Sequence, residues 1–254
     1  MKQTRALMGM PITVEIVDPS ATSDDVEKIF QYFDYVDRTF STYKSDSEIS
    51  RLNRGELTVD ECGVDLREIL TLSEETRRRT NGFFDIRTPR GPLDPSGLVK
   101  GWAIRNAARM LEGAGFKNTY VEAGGDIQVH GRNAAGDEWR VGIRHPFEKD
   151  KIVKVLHIDG VGIATSGTYE RGQHIYNPHD PDDPLTRFVS LTVIGPDVYE
   201  ADRFATAAFA MGREGIDFLE RLDGFEGYLI DRDGIALQTS GFDRYTHPHD
   251  HAHR

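Results

Sequence analysis

The order of its periodicities predicts an α+β fold for this chain. Apolar residues at helical spacing cluster early, alternating segments cluster late, and no repeating βαβ array connects them. No internal repeat and no interdomain linker breaks the 254 residues, a length sufficient to bury a sizeable core. One domain over residues 1–246 is therefore expected, followed by a His-rich tail, 247–254, expected to be solvated and disordered.

Residues Met10 to Val17 alternate Ile12, Val14 and Ile16 with Thr13 and Glu15, the period of a strand with one buried face. Ser23, followed by Asp24, Asp25 and Glu27, reads as an N-cap with an acidic first turn. Val26, Ile29, Phe30, Phe33 and Val36 then continue a helix to near Phe40. Further helices are expected around Ser47–Leu52 and over Leu66–Thr80, the latter closed by Asn81-Gly82. Past a turn-rich stretch, Val99, Ala103, Ile104, Ala107, Ala108 and Leu111 form one face of a helix that stops at Gly113-Ala114-Gly115. Strands follow at 119–122, 127–130, 139–143, 153–158, 162–165 and 188–194, separated by Gly, Asp and Pro. Helices return at 201–211 and 214–222, before two last strands near 228–230 and 235–237.

A formal charge of -11, from 31 Lys+Arg against 42 Asp+Glu, opposes an extended grip on nucleic-acid phosphates. The lone Cys62 excludes an intrachain disulfide and any multi-thiolate cage, and fits a reducing compartment. No apolar stretch reads as a secretory leader or a membrane span, so a cytoplasmic protein without membrane partners is expected.

Neither G-x-G-x-x-G after a strand nor a P-loop is present, so any nucleotide site is built another way. Three clusters bring small residues and oxygen donors together. Leu93 to Ala103 runs a Gly/Pro loop into a helix N-terminus beside Lys100, suited either to a phosphate or simply to a cap by Asp94 or Ser96. Tyr120 to Asp126 ends a strand in a double glycine and a carboxylate, which serves close approach of a ligand or a plain turn. In the third, Asp202 and Thr206 stand four apart on one helical face and offer two oxygens to a hard cation, or are an ordinary early-helix Asp and a surface Thr. Between them, a hydroxyl-rich turn precedes His174, a side chain suited to proton abstraction near neutral pH.

These segments occur in the order seen in one family. Met8-Gly9-Met10, Phe40 to Tyr43, Ser47 to Asn53, Gly82 to Ile86, the three clusters, Ser166-Gly167 and His174 to Pro178 together resemble the FAD:protein FMN transferase (ApbE) family. The resemblance implies helices packed on a mixed, largely antiparallel sheet. It implies FAD as substrate, Mg2+ as cofactor, and transfer of FMN to a Thr or Ser hydroxyl of an acceptor protein with release of AMP. Carried over residue by residue, it implies a metal held by Asp202, Thr206 and the Gly97 carbonyl. FAD contacts are implied for Met8, Tyr43, Phe83, Phe84, Asp85, Asp94, Lys100 and Tyr176, with His174 as general base. Phe83 and Phe84 suit either a cofactor ring or plain core packing. The chain departs from the family at Arg87, where Thr is usual, at Lys100, where some members have Glu, and in a short 85–94 segment. Two other readings share the same residues: a magnesium-dependent FAD pyrophosphatase and a non-catalytic FAD-binding protein.

Overall fold

The computed structural model describes residues 1–88, 91–148, 150–167, 175–180 and 185–247. An antiparallel hairpin of β1 (Lys2–Leu7) and β2 (Met10–Ile16) opens the chain, joined at Met8-Gly9, both with positive φ. Most of β1 is exposed and lacks apolar alternation, which is why its residues carry no strand signature of their own. Four helices follow: α1 (Ser23–Phe40), α2 (Glu48–Asn53), α3 (Val64–Arg79) and α4 (Ser96–Gly113). Thr22, not Ser23, caps α1. Its hydroxyl accepts from the Asp25 N–H while the Asp25 carboxylate accepts from the Thr22 N–H, whereas three residues beyond Ser23 stands Val26, with no carboxylate to return the bond.

The chain then lays down β3 (Thr119–Ala123), β4 (Asp126–His130), β5 (Trp139–Arg144), β6 (Ile152–Ile158), β7 (Gly162–Gly167) and β8 (Phe188–Gly195). Helices α5 (Val198–Met211) and α6 (Glu214–Glu220) precede β9 (Glu226–Asp231) and β10 (Ala236–Gln238). Among the described strands, one eight-stranded sheet runs β1-β2-β3-β4-β7-β8-β9-β10 with every pairing antiparallel. It is a meander interrupted twice by helices, α1–α4 and α5–α6, and once by the two-stranded β5–β6 ribbon.

Three layers result. On one sheet face α4 and α5 pack against β3, β4, β7 and β8, burying Trp102, Phe204 and Phe209. On the other face Trp139, Val141, Ile143, Leu156 and Ile158 of the ribbon close over Ile127, Ile163, Ile194 and Ile230. Covered on both sides, β8 is buried nearly throughout and largely apolar, and β4 buries the polar Asp126 and Gln128 along with Ile127 and Val129. No helix among the described residues is long and apolar enough to cross a membrane.

Candidate active site

Helices α4 and α5 touch where α4 has no side chain. A Cβ at Gly101 would lie 2.6 Å from the Asp202 Cβ and 2.7 Å from the Val198 carbonyl oxygen, distances that no real Cβ tolerates. The close crossing lets the Gly101 N–H donate to Asp202 Oδ2 at 2.8 Å. It also carries Thr206, one turn along α5, to the start of α4, where its hydroxyl donates to the Gly97 carbonyl at 3.2 Å. Arg203 turns instead to α3, donating to Thr76 Oγ1 (3.1 Å) and gripping Glu200, which fixes the roll of α5.

A third element completes the cluster. Gly124 and Gly125, both at positive φ, make the two-residue turn between β3 and β4 and place Asp126 at the first position of β4. Asp126 is fully buried. Its Oδ1 accepts the Thr165 N–H (3.0 Å) and its Oδ2 lies 2.7 Å from Lys100 Nζ. Burial drives the Asp202 carboxyl up to about 7; Lys100 opposes that rise, and neighbouring Asp126 adds to it. A cation beside Asp202 would oppose that rise and favour its ionised form.

These oxygens suit a hard cation. Two cis ligands of Mg2+ at 2.0–2.1 Å lie about 3 Å apart, close to the spacing between Thr206 Oγ1 and the Gly97 carbonyl. Among the described residues no three His, Cys, Asp or Glu side chains gather, so a nitrogen or thiolate cage is not built there.

The cluster opens into a cleft of about 500 Å3, within the range of small-molecule sites. Phe83, Phe84, Asp85, Asp94, Gly97, Lys100, Tyr176, Asp202 and Thr206 all line it. The Tyr176 hydroxyl donates to the carbonyl of Asp85 (2.7 Å) or Arg87 (2.8 Å), and burial pushes its pKa up to about 12. Asp94 Oδ1 accepts the Ser96 N–H at 3.0 Å, and Pro95 occupies the N-cap position of α4. Phe84 is buried in the helix-side core, whereas the Phe83 ring faces His179 at 4.3 Å.

Two expected contacts stand elsewhere. Met8 sits at the β1–β2 turn packed against the core, and Tyr43 is 99% exposed beyond α1; neither lines the cleft. His174 lies outside the described residues, as do 248–254 of the tail. The sequence offers Tyr120, Glu122 and Asp126 only as part of a weak double-glycine cluster, and it gives no sign of the opposite wall, where Arg140 to Arg144 and Thr192 line the cleft. The turn preceding Asp126 was visible; the wall was not, because pairing across layers leaves no local pattern.

Helices, antiparallel sheet and ribbon around such a cleft define an ApbE-like α+β protein. The sequence profile of the ApbE family matches residues 8–90 and 87–229, and the chain belongs to that family. The FAD:protein FMN transferase of Escherichia coli K12 is 27% identical over 286 residues, covering 88% of this chain and 81% of the relative. The flavin transferase ApbE from Vibrio cholerae superposes with a TM-score of 0.83 at 23% identity, over 96% of this chain and 98% of the other. Pseudomonas stutzeri flavinyl transferase ApbE, in its apo form, gives 0.83 at 21% identity, over 97% and 96%. These two structural likenesses concern the fold.

Proposed function

We propose that this chain is a magnesium-dependent FAD:protein FMN transferase acting in the cytoplasm on a Thr or Ser of an acceptor protein. One observation carries the reading: the buried Asp202, Asp126 and Lys100 cluster, with the Thr206 and Gly97 oxygens beside it, opens into the cleft. In this reading Asp202, Thr206 and the Gly97 carbonyl hold Mg2+, which when bound neutralises charge on the pyrophosphate and the departing AMP. Phe83, Phe84, Asp85, Asp94, Lys100 and Tyr176 are the proposed FAD contacts.

The acceptor hydroxyl oxygen forms a bond to the phosphorus on the FMN side while the bond from that phosphorus to the AMP oxygen breaks. His174 takes the hydroxyl proton, an assignment that rests on the sequence, and such transfer contributes roughly 10²–10⁴-fold. Lys100 holds Asp126 in place, and Asp126 braces β7 through Thr165.

Chromatography of the protein mixed with FAD and Mg2+, with and without an acceptor, tests this. FAD retained intact until a hydroxyl-bearing acceptor is added, followed by AMP release and an acceptor heavier by FMN less water, is the expected result. Steady release of both FMN and AMP without acceptor would make the protein a pyrophosphatase instead.

A further inference from the structure

The cleft has a second wall with a property its lining reveals. Arg140, Val141, Gly142, Ile143 and Arg144 all border the cleft, five consecutive residues of β5. Successive side chains of a strand point to opposite faces, so a face brings only alternate residues to a cavity; an unbroken run reaches it along the strand's edge. The partner strand β6 borders the cleft nowhere, and among the described strands β5 pairs with β6 alone. Every second residue of β5 therefore turns its backbone N–H and C=O away from β6, toward the cleft.

That edge is a rigid template. Val141 and Ile143 are anchored in the core beneath the ribbon, while Arg140 and Gly142 are exposed on its outer side. Edge strands are ordinarily protected by charge, proline or a bulge; the outer strand β1 carries Lys2 and Arg5. From Val141 to Ile143 the β5 edge has no charge and no proline, and the register shift falls beyond it, at Ile143/Arg144. At the ribbon's far end, Phe147 and Ile152 are about half exposed, extending the surface with apolar contact.

We infer that this cleft-facing edge of β5 is where the acceptor protein docks, an extended segment of its chain pairing with residues 140–143 as an added strand and delivering its hydroxyl into the cleft. The inference rests on the flavin-transfer reading above, which requires a protein hydroxyl, rather than water, to enter the same cleft that holds the carboxylate cluster. An extended segment is the form in which a main chain enters a narrow cleft, and pairing along an edge fixes its register without reading its side chains. Four residues of such pairing span about 13 Å.

The test begins with short synthetic peptides carrying one central Thr and randomised flanks, offered to the wild-type protein with FAD and Mg2+; the peptides that gain FMN less water serve as probe. Single backbone N-methyl groups are then walked along the best peptide. Added-strand docking predicts that KM rises about tenfold at every second position and by far less at those between, since only alternate N–H groups face the edge. Hydrogen exchange on the wild-type protein supplies the second readout: the peptide should slow exchange at alternating amides within 140–143 beyond the level set by FAD. N-methyl effects without a two-residue period overturn the docking mode, as does protection of 140–143 by FAD alone with no change on adding peptide, which would make the edge a cofactor contact. Failure of the wild-type protein to modify any peptide or protein acceptor overturns the flavin-transfer reading, and the docking inference with it.

Discussion

The two walls of the cleft are built on opposite principles. The helix wall, α4 against α5, is a close crossing in which a missing side chain at Gly101 admits a buried carboxylate at Asp202, and the Asp202, Thr206 and Lys100 side chains are each tied to another element. The ribbon wall, β5, is anchored through its apolar face and, among the described strands, is paired along one edge only. One wall is a fixed electrostatic site; the other turns toward the cleft an edge that no other described strand pairs with. The first should resist substitution in function and packing alike, and the second should tolerate it in packing.

The sharpest way to test the first half is Asp202→Asn, which keeps the shape and removes the charge. AMP release in the presence of acceptor should fall by about 10²–10³-fold, the several kcal/mol a metal contributes to such chemistry. Folding should not suffer, since a carboxylate pushed up to about 7 is itself a burden on the folded chain. Chromatography of AMP and a thermal melt on the same sample check both. Turnover at the wild-type rate would remove Asp202 from the proposed metal site.

Gly101→Ala asks how tightly the helices cross. The added methyl meets the Asp202 Cβ, the Val198 carbonyl and the Tyr199 Cα within about 3 Å, all on or next to backbone that cannot swing aside. Overpacking of this kind costs roughly 1–3 kcal/mol, and in a chain of this size each kcal/mol lowers Tm by about 2–4 °C. A melt unchanged from wild type would show that α4 and α5 separate easily.

Proton and metal should compete at the same carboxylate. In the metal-free protein the folded Asp202 carboxyl titrates about 7 against an unfolded value near 3.8, so the folded state holds its proton longer. Its contribution to stability is fully present below the unfolded value and is lost as pH rises through the folded one. In the proposed site Mg2+ binds the ionised form, so the Tm gain on adding it should be larger at pH 8 than at pH 5, and larger in wild type than in Asp202→Asn. Equal gains at both pH values in both proteins would place the ion elsewhere.

The same contrast explains what the sequence made legible. Asp202 and Thr206 were readable because helical spacing puts residues four apart on one face, and the helices because apolar residues recur at that period. Most strands, β5 among them, were readable as short segments bounded by Gly, Asp and Pro. Yet the β5 edge is a property of which strand lies beside which, a long-range fact with no local trace. Asp126 fell between: its turn was visible as Gly124-Gly125, but its ion pair with Lys100 joins residues 26 apart in sequence through tertiary packing. The Thr22 cap was missed for a local reason, since the deciding partner, Asp25, sits three residues on from Thr22 and not from Ser23.

Gly142→Ala on the ribbon is the counterpart of Gly101→Ala on the helices, and its small effect is the informative one. A Cβ at Gly142 meets the Ile152 Cδ1 at 2.8 Å, as short a contact as those at Gly101, so distance alone predicts similar damage. The partner differs. Cδ1 is the far end of a side chain that is 51% exposed and free to change rotamer, whereas Gly101 faces backbone and a buried Cβ. The ribbon variant should therefore stay within about 0.5 kcal/mol of wild type, as a surface change does, while the helix variant loses more. Comparable losses in a pair of denaturant melts would mean that the ribbon is packed as rigidly as the helix crossing on its outer side too. The contrast between a closed wall and an open one would then have to rest on the backbone groups of β5 alone.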